Sequence, residues 1–188
     1  PQSDLYAVGS SAGTGVLVRY LGEEGENAPF KESFAMCTGY DTEKGFENVH
    51  PFYSKMMTKK LFKAFIYPYQ NTWKSVESVQ QVLATKNLQE FQNSYFEMAG
   101  YVDYASYNQA VNPIYVFENV KIPLMVLNSE DDPVCSIKNF EPYKQTVQGM
   151  PNIVVVTTKK GSHCGFYEGI QTKSWASRLI ADYFKTFK

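Results

Sequence analysis

The most constraining stretch of this chain lies near its start. Leu5-Tyr6-Ala7-Val8 is a short apolar run, Gly9-Ser10-Ser11-Ala12-Gly13 follows it, and then come Val16, Leu17, Tyr20 and Leu21. The apolar run has the length and flanks of a buried strand. The later positions recur at i, i+1, i+4 and i+5, which marks a helix with one buried face. Gly22 reads as the stop of that helix. A buried strand that turns on glycines straight into a helix belongs to a layered α/β architecture.

The rest of the chain continues the alternation. Phe34-Ala35-Met36-Cys37 is a second short strand. Ile122-Pro123-Leu124-Met125-Val126-Leu127 is apolar throughout, as a parallel strand covered on both faces should be. Ile153-Val154-Val155-Val156 is β-branched and strand-forming. Helical patterning spans Phe140 to Val147, with Gly149 after it. A last amphipathic helix carries Trp175, Leu179, Ile180, Tyr183, Phe184 and Phe187 on one side.

The stretch from Asp41 to Asn119 has three helical faces and little strand character. They are Met56, Met57, Leu61, Phe62 and Phe65, then Val76, Val79, Val82 and Leu83, then Leu88, Phe91, Tyr95 and Phe96. The expected fold is therefore α/β with a mainly parallel sheet. Residues 1–40 hold the first strand, helix and next strand. Residues 41–119 are a helical insertion, and residues 120–188 return to the sheet and close with a helix.

Composition narrows what such a domain can do. The 188 residues carry 18 Lys+Arg against 19 Asp+Glu, a net charge of −1, so no basic field points to nucleic acid. No apolar run reaches the roughly 18 residues of a membrane span. Cys37, Cys135 and Cys164 are odd in number and far apart in sequence, which fits neither a disulfide framework nor a metal knuckle and leans to a reducing, intracellular setting. A zinc or other metal site is not expected. His163 and Cys164 are adjacent, which makes it hard for both to bind one ion, and ligand pairs at i, i+3 are lacking. No G-x-G-x-x-G follows a strand, so no dinucleotide cofactor is expected either.

In open parallel sheets ligands bind at the carboxyl ends of the strands, and three polar turns lie there. The first, Gly9-x-Ser11-x-Gly13, matches the G-x-S-x-G turn, in which a serine on a sharp strand-to-helix bend exposes its Oγ. The duller alternative is a glycine turn that only joins strand to helix. The second turn, after the Leu124–Leu127 strand, offers Glu130, Asp131 and Asp132, of which at least one should merely cap the following helix. Spacing does not separate Asp131 from Asp132. The third, Gly161-Ser162-His163-Cys164-Gly165, holds one of two histidines. The other, His50, precedes every candidate acid and stands before Pro51, a structural or surface position.

Taken together, these turns resemble the α/β hydrolases, specifically their YheT-like, lipid-esterase subgroup. The resemblance rests on Gly9-Ser10-Ser11-Ala12-Gly13 leading to Tyr20-Leu21-Gly22-Glu23, on Ile122-Pro123-Leu124 to Asn128 with Asp131-Asp132-Pro133, and on Gly161 to Phe166. Leu88 to Phe91, Gly100-Tyr101 and Tyr104 to Ser106 look like landmarks of the subgroup's lid. The resemblance implies Ser11 as nucleophile, His163 as base and Asp132, the residue before the proline, as acid, with Asp131 the alternative. It implies the Ala12 N–H as an oxyanion donor, residues 41–119 as a lid, and a serine-dependent ester or lipid hydrolase without metal or cofactor. A non-catalytic fragment or binding module, and an acyltransferase, are the alternatives it leaves.

Two departures accompany the resemblance. Ala12 stands where the subgroup often has a larger residue, and Cys164 where a small apolar one is usual. The subgroup also has strands and a second oxyanion donor ahead of the serine turn. The chain is thus expected to be the C-terminal part of a larger hydrolase, with any membrane attachment carried ahead of Pro1 and the first strand left as an apolar sheet edge.

Overall fold

The computed structural model describes residues 3–73 and 77–186, so Val76 and Phe187 of the expected apolar faces lie outside the described residues. Four strands form one parallel sheet in the order β1 (Leu5–Ser10), β2 (Phe30–Met36), β3 (Leu124–Ser129), β4 (Ile153–Thr158). Between β1 and β2 runs α1 (Ala12–Glu24). Between β2 and β3 lie α2 (Thr42–Glu47), α3 (Pro51–Leu61), α4 (Gln70–Trp73), α5 (Val79–Ala84), α6 (Leu88–Ser94) and α7 (Tyr104–Val111). The short helix α8 (Lys144–Gln148) precedes β4. After β4 come a two-residue hairpin, β5 (Tyr167–Glu168) with β6 (Lys173–Ser174), and then α9 (Trp175–Thr186).

Alternating side chains send the strands into two cores, as the two-residue period of a strand requires. Ala35, Leu124 and Val126 pack with Val18 and Leu21 of α1 on one face, joined by Phe117, Phe140 and Val147. Phe34 and Leu127 pack with Ala176 and Tyr183 of α9 on the other. The helical stretch between β2 and β3 has a third core of its own, Phe62, Ile66, Val82, Phe91 and Met98. Several of its aromatics are therefore ordinary packing. A buried polar hub ties this stretch to the sheet. Asp41 caps α2 and accepts from Asn112 Nδ2 at 2.8 Å and from the Tyr143 hydroxyl at 3.0 Å, while Asn139 Oδ1 accepts the Tyr40 and Asp41 amides.

β1 is one edge of the sheet, as expected, with Leu5 and Val8 about half exposed. The first helix differs from its sequence reading in two ways. Its buried residues are Thr14, Val18, Leu21 and Gly22, whereas Val16 is 74% exposed. Thr14 tolerates burial because its hydroxyl donates to the Ser11 carbonyl at 2.6 Å. The helix also runs past Gly22 and ends at Gly25, whose φ of +54° suits glycine. Gly22 is a contact residue: a Cβ there would run into the carbonyl oxygen and side chain of Val116. Gly22→Ala should cost about 2 kcal/mol through overpacking. A thermal melt should show a midpoint several degrees lower, and an unchanged midpoint would refute the close approach.

Candidate active site

The site is assembled where the strands end. Final ladder rungs bring those ends level: the Ser11 amide donates to Met36 O at 2.9 Å, the Cys37 amide to Leu127 O at 2.8 Å, and the Glu130 amide to Thr158 O at 2.8 Å. Ser11 follows β1 directly and caps α1 with φ +52° and ψ −122°. That left-handed backbone is strained for a serine and lifts its side chain off the helix axis. Gly9 permits the bend, since a Cβ there would sit 2.7 Å from Gly13 O. Gly13 itself faces open space, so the second glycine of the motif is not required sterically among the described residues.

Ser11, Asp132 and His163 come together although they lie far apart in sequence. Ser11 Oγ is 2.8 Å from His163 Nε2, and His163 Nδ1 is 3.0 and 2.9 Å from the two Asp132 carboxylate oxygens. With the ring proton on Nδ1, that nitrogen donates to Asp132 and Nε2 accepts from the serine hydroxyl. The Asp132 side chain is fully buried, and that of His163 is 23% exposed. Asp132 also accepts the Val134 amide at 2.8 Å and the Cys135 amide at 2.9 Å, which fixes the carboxylate's direction.

Burial opposes the charge on Asp132, but the hydrogen bond from His163 and the two amides outweigh it and hold its pKa below the ordinary carboxylate value. His163 moves the other way. Its hydrogen bond to Asp132, helped by Cys135 and Cys164, raises its pKa above the usual 6.5 against the effect of burial.

The two aspartates left open by sequence do different things. Asp131 Oδ1 accepts the Gly161 amide at 3.0 Å and the Ser162 amide at 2.8 Å, so it holds the backbone of the histidine turn and not the imidazole. Its other oxygen is 3.7 Å from Lys160 Nζ. The turn is further tied by Ser129 Oγ donating to Ser162 O at 2.8 Å. Ser162, Cys164 and Phe166 all have positive φ, a cluster of strained backbone around His163. His50 caps α3, its Nδ1 accepting the Phe52 amide at 3.3 Å. Ala12 is the first residue of α1, so its amide is at the positive end of the helix.

The sequence reading weighs Cys37, Cys135, His163 and Cys164 as a competing metal site and sets it aside. Each cysteine follows the end of a strand, and all three converge on His163. The Cys164 amide donates to Cys37 Sγ at 3.1 Å, and Ser10 Oγ is 3.3 Å from Cys164 Sγ. Ligand atoms of Cys37, His163 and Cys164 lie within 4.8 Å of one another, as do those of Asp132, Cys135 and His163. Adjacency of His163 and Cys164 therefore does not keep their ligand atoms apart, and Asp132 with Cys135 is an i, i+3 pair of the kind the sequence argument takes to be lacking. However, both ring nitrogens of His163 already have partners, so an ion bound there would displace Asp132 or Ser11.

Beside Ser11 lies a largely apolar cavity of about 120 Å³. Ser11, Ala12 and Gly15 form one wall, Phe46, Val49 and Met57 of the helical stretch another, and Val134 and Cys135 a third. Thr14, Thr42, Ser136 and Asn139 also line the cavity, but most of its surface is apolar.

No family model matches the chain. It is 26% identical over 214 residues to medium-chain fatty acid ethyl ester synthase/esterase 2 of Saccharomyces cerevisiae, covering 100% of this chain and 47% of that protein. It is 28% identical over 196 residues to phospholipase ABHD3 of Bos taurus, covering 100% of this chain and 46% of that one. The chain thus spans just under half the length of these curated relatives. A crystal structure of MGS-M2, an α/β hydrolase from a Medee basin deep-sea metagenome library, superposes with a TM-score of 0.50 at 16% identity, over 97% of this chain and 65% of that one. Parallel sheet, strand-end turns and structural likeness together give the chain the α/β-hydrolase fold, and in sequence it is similar to esterases and lipases.

Proposed function

We propose that this chain carries the acyl-enzyme machinery of a serine-dependent carboxylic-ester hydrolase. The observation that carries the reading is the unbroken hydrogen-bond relay from the buried Asp132 through His163 to Ser11 Oγ. Ser11 Oγ attacks the ester carbonyl carbon, and its proton passes to His163 Nε2. Asp132 holds the imidazole in the required tautomer and stabilises the imidazolium. The Ala12 N–H, at the start of α1, donates to the oxyanion. The tetrahedral adduct collapses, the alcohol leaves with the proton from His163, and the acyl group stays on Ser11. Water then repeats the sequence in reverse roles and frees the acid.

The apolar cavity beside Ser11 supports an acyl chain as the group bound there, and hence a lipid or a short- to medium-chain ester as substrate. Helices α2 and α3 with the turn between them, which supply Phe46, Met57 and Val49, would act as the inner wall of a lid. The name of the yeast relative, synthase as well as esterase, favours a second outcome at the same serine: an alcohol in place of water returns an ester.

The test is a series of p-nitrophenyl esters of graded chain length given to the full gene product, together with a fluorophosphonate probe. Turnover should be measurable and the probe should modify the peptide containing Ser11. Added ethanol should divert part of the acyl product to ethyl ester. A folded protein that neither turns over any ester nor reacts with the probe would sink the proposal.

A further inference from the structure

The chain is charge-balanced overall, but its positive charge is not spread evenly. Residues 48–73 contain no Asp or Glu, yet include Lys55, Lys59, Lys60 and Lys63. All four lie on one face of α3 and its continuation over Phe62–Ile66, at spacings of three, four and eight that helix geometry places together. None of the four has an ion-pair partner among the described residues, whereas Lys31, Lys44, Lys160 and Lys185 each do. With Phe52 and Met56 they line an open groove of about 540 Å³ on the surface.

The same element leaves large apolar groups in water. Only Ser54, Thr58, Phe62 and Ile66 are buried, one per turn, so the inward stripe is narrow. Phe52 is 63% exposed, Phe65 42% and Tyr67 50%. An isolated exposed apolar side chain is common. Phe65 packs its ring on Tyr69, Trp73 and Tyr95, but an unpaired lysine cluster with Phe52 exposed in the same groove is a different pattern. It is the composition of a helix lying in a membrane interface, where lysines meet anionic headgroups and aromatic rings enter the boundary layer.

We infer that this face of α3 docks on an anionic lipid surface. No described helix is long and apolar enough to cross a membrane, and the contact inferred is that of a helix lying on the surface. The charge complementarity selects lipid carrying net negative charge, and the exposed Phe52 selects a surface its ring can enter. The docking face also backs onto the cavity beside Ser11, because Met57 of α3 forms part of that wall. Docking would set the cavity next to the layer in which acyl chains reside.

Co-sedimentation with vesicles tests this. The protein should pellet with phosphatidylcholine vesicles that contain phosphatidylserine and not with phosphatidylcholine alone, and rising salt should release it. Each Lys→Gln change among the four should weaken apparent affinity by about fivefold, and all four together by two to three orders of magnitude. Phe52→Ser should weaken binding to the anionic vesicles as well. All these positions are exposed, and turnover of a soluble short-chain ester should be unchanged in the lysine variants.

The single variants keep the test usable if the quadruple variant does not fold. Equal binding to both kinds of vesicle, binding to neither, or lysine variants that pellet like the parent would overturn the inference. Binding by a Ser11→Ala protein should match the parent, which separates this result from the fate of the ester-hydrolase reading.

Discussion

Ser11→Ala should lower kcat on a p-nitrophenyl ester by on the order of 10⁶-fold and abolish fluorophosphonate labelling. The change removes the one atom that would form the acyl-enzyme bond and leaves His163 Nε2 without its 2.8 Å partner. It should not unfold the protein. Alanine carries the same left-handed backbone strain as serine at φ +52°, and the Ser11 side chain makes no capping hydrogen bond to α1. The Ser11 carbonyl keeps its bonds from Thr14, so the start of the helix survives. The check is kcat and labelling measured on protein whose thermal midpoint matches the parent. A variant retaining a tenth of the parental activity would mean that Ser11 is not the nucleophile.

The parts of this site that were readable in sequence are the local ones. Gly9 to Gly13 declares itself because strand, turn and helix are contiguous and the backbone demand falls on neighbouring residues. The histidine turn is readable for the same reason. What sequence left open is decided by direction. Asp131 and Asp132 are consecutive, and the tight turn after β3 points one carboxylate at backbone amides of the histidine turn and the other at the imidazole. No spacing rule encodes that choice.

Longer-range facts were beyond reach for a related reason. Cys37, Cys135 and Cys164 look scattered until parallel pairing sets three strand ends side by side. Gly22 reads as a helix stop because glycine usually is one, while here it makes room for Val116 in a segment 94 positions later. The buried face of α1 was displaced because a polar residue, Thr14, sits at its centre with its hydroxyl satisfied locally. The hairpin of β5 and β6 is too short to leave a pattern. The lysine face of α3 was hidden by arithmetic, since a net charge of −1 averages it against acids elsewhere.

Asp132→Asn should lower kcat by about 10⁴-fold, and Asp131→Asn by only a few-fold. The amide of asparagine can present an N–H where Asp132 presents a carboxylate oxygen. His163 would then accept at Nδ1 and carry its proton on Nε2, facing Ser11 with a donor where an acceptor is needed. Asparagine at 131 keeps the oxygen that accepts the Gly161 and Ser162 amides and gives up only a long, exposed ion pair with Lys160.

The pH profile separates a charge effect from a packing effect. The base must be neutral to take the serine proton, so kcat/KM should fall as pH falls through the raised pKa of His163. In Asp132→Asn the hydrogen bond that raises it is lost, and the acid limb of the residual activity should move to lower pH. Stability follows the same pair with a defined sign. His163, raised in the fold, stabilises below its unfolded value of 6.5 and loses that contribution as pH climbs through its folded pKa. Asp132, lowered in the fold, stabilises above its unfolded 3.8 and loses it as pH drops through its own folded value. The parent's advantage over Asp132→Asn in thermal midpoint should therefore be largest between the two and shrink toward strong acid. If Asp131→Asn, not Asp132→Asn, removes activity and shifts the limb, the acid has been assigned to the wrong aspartate.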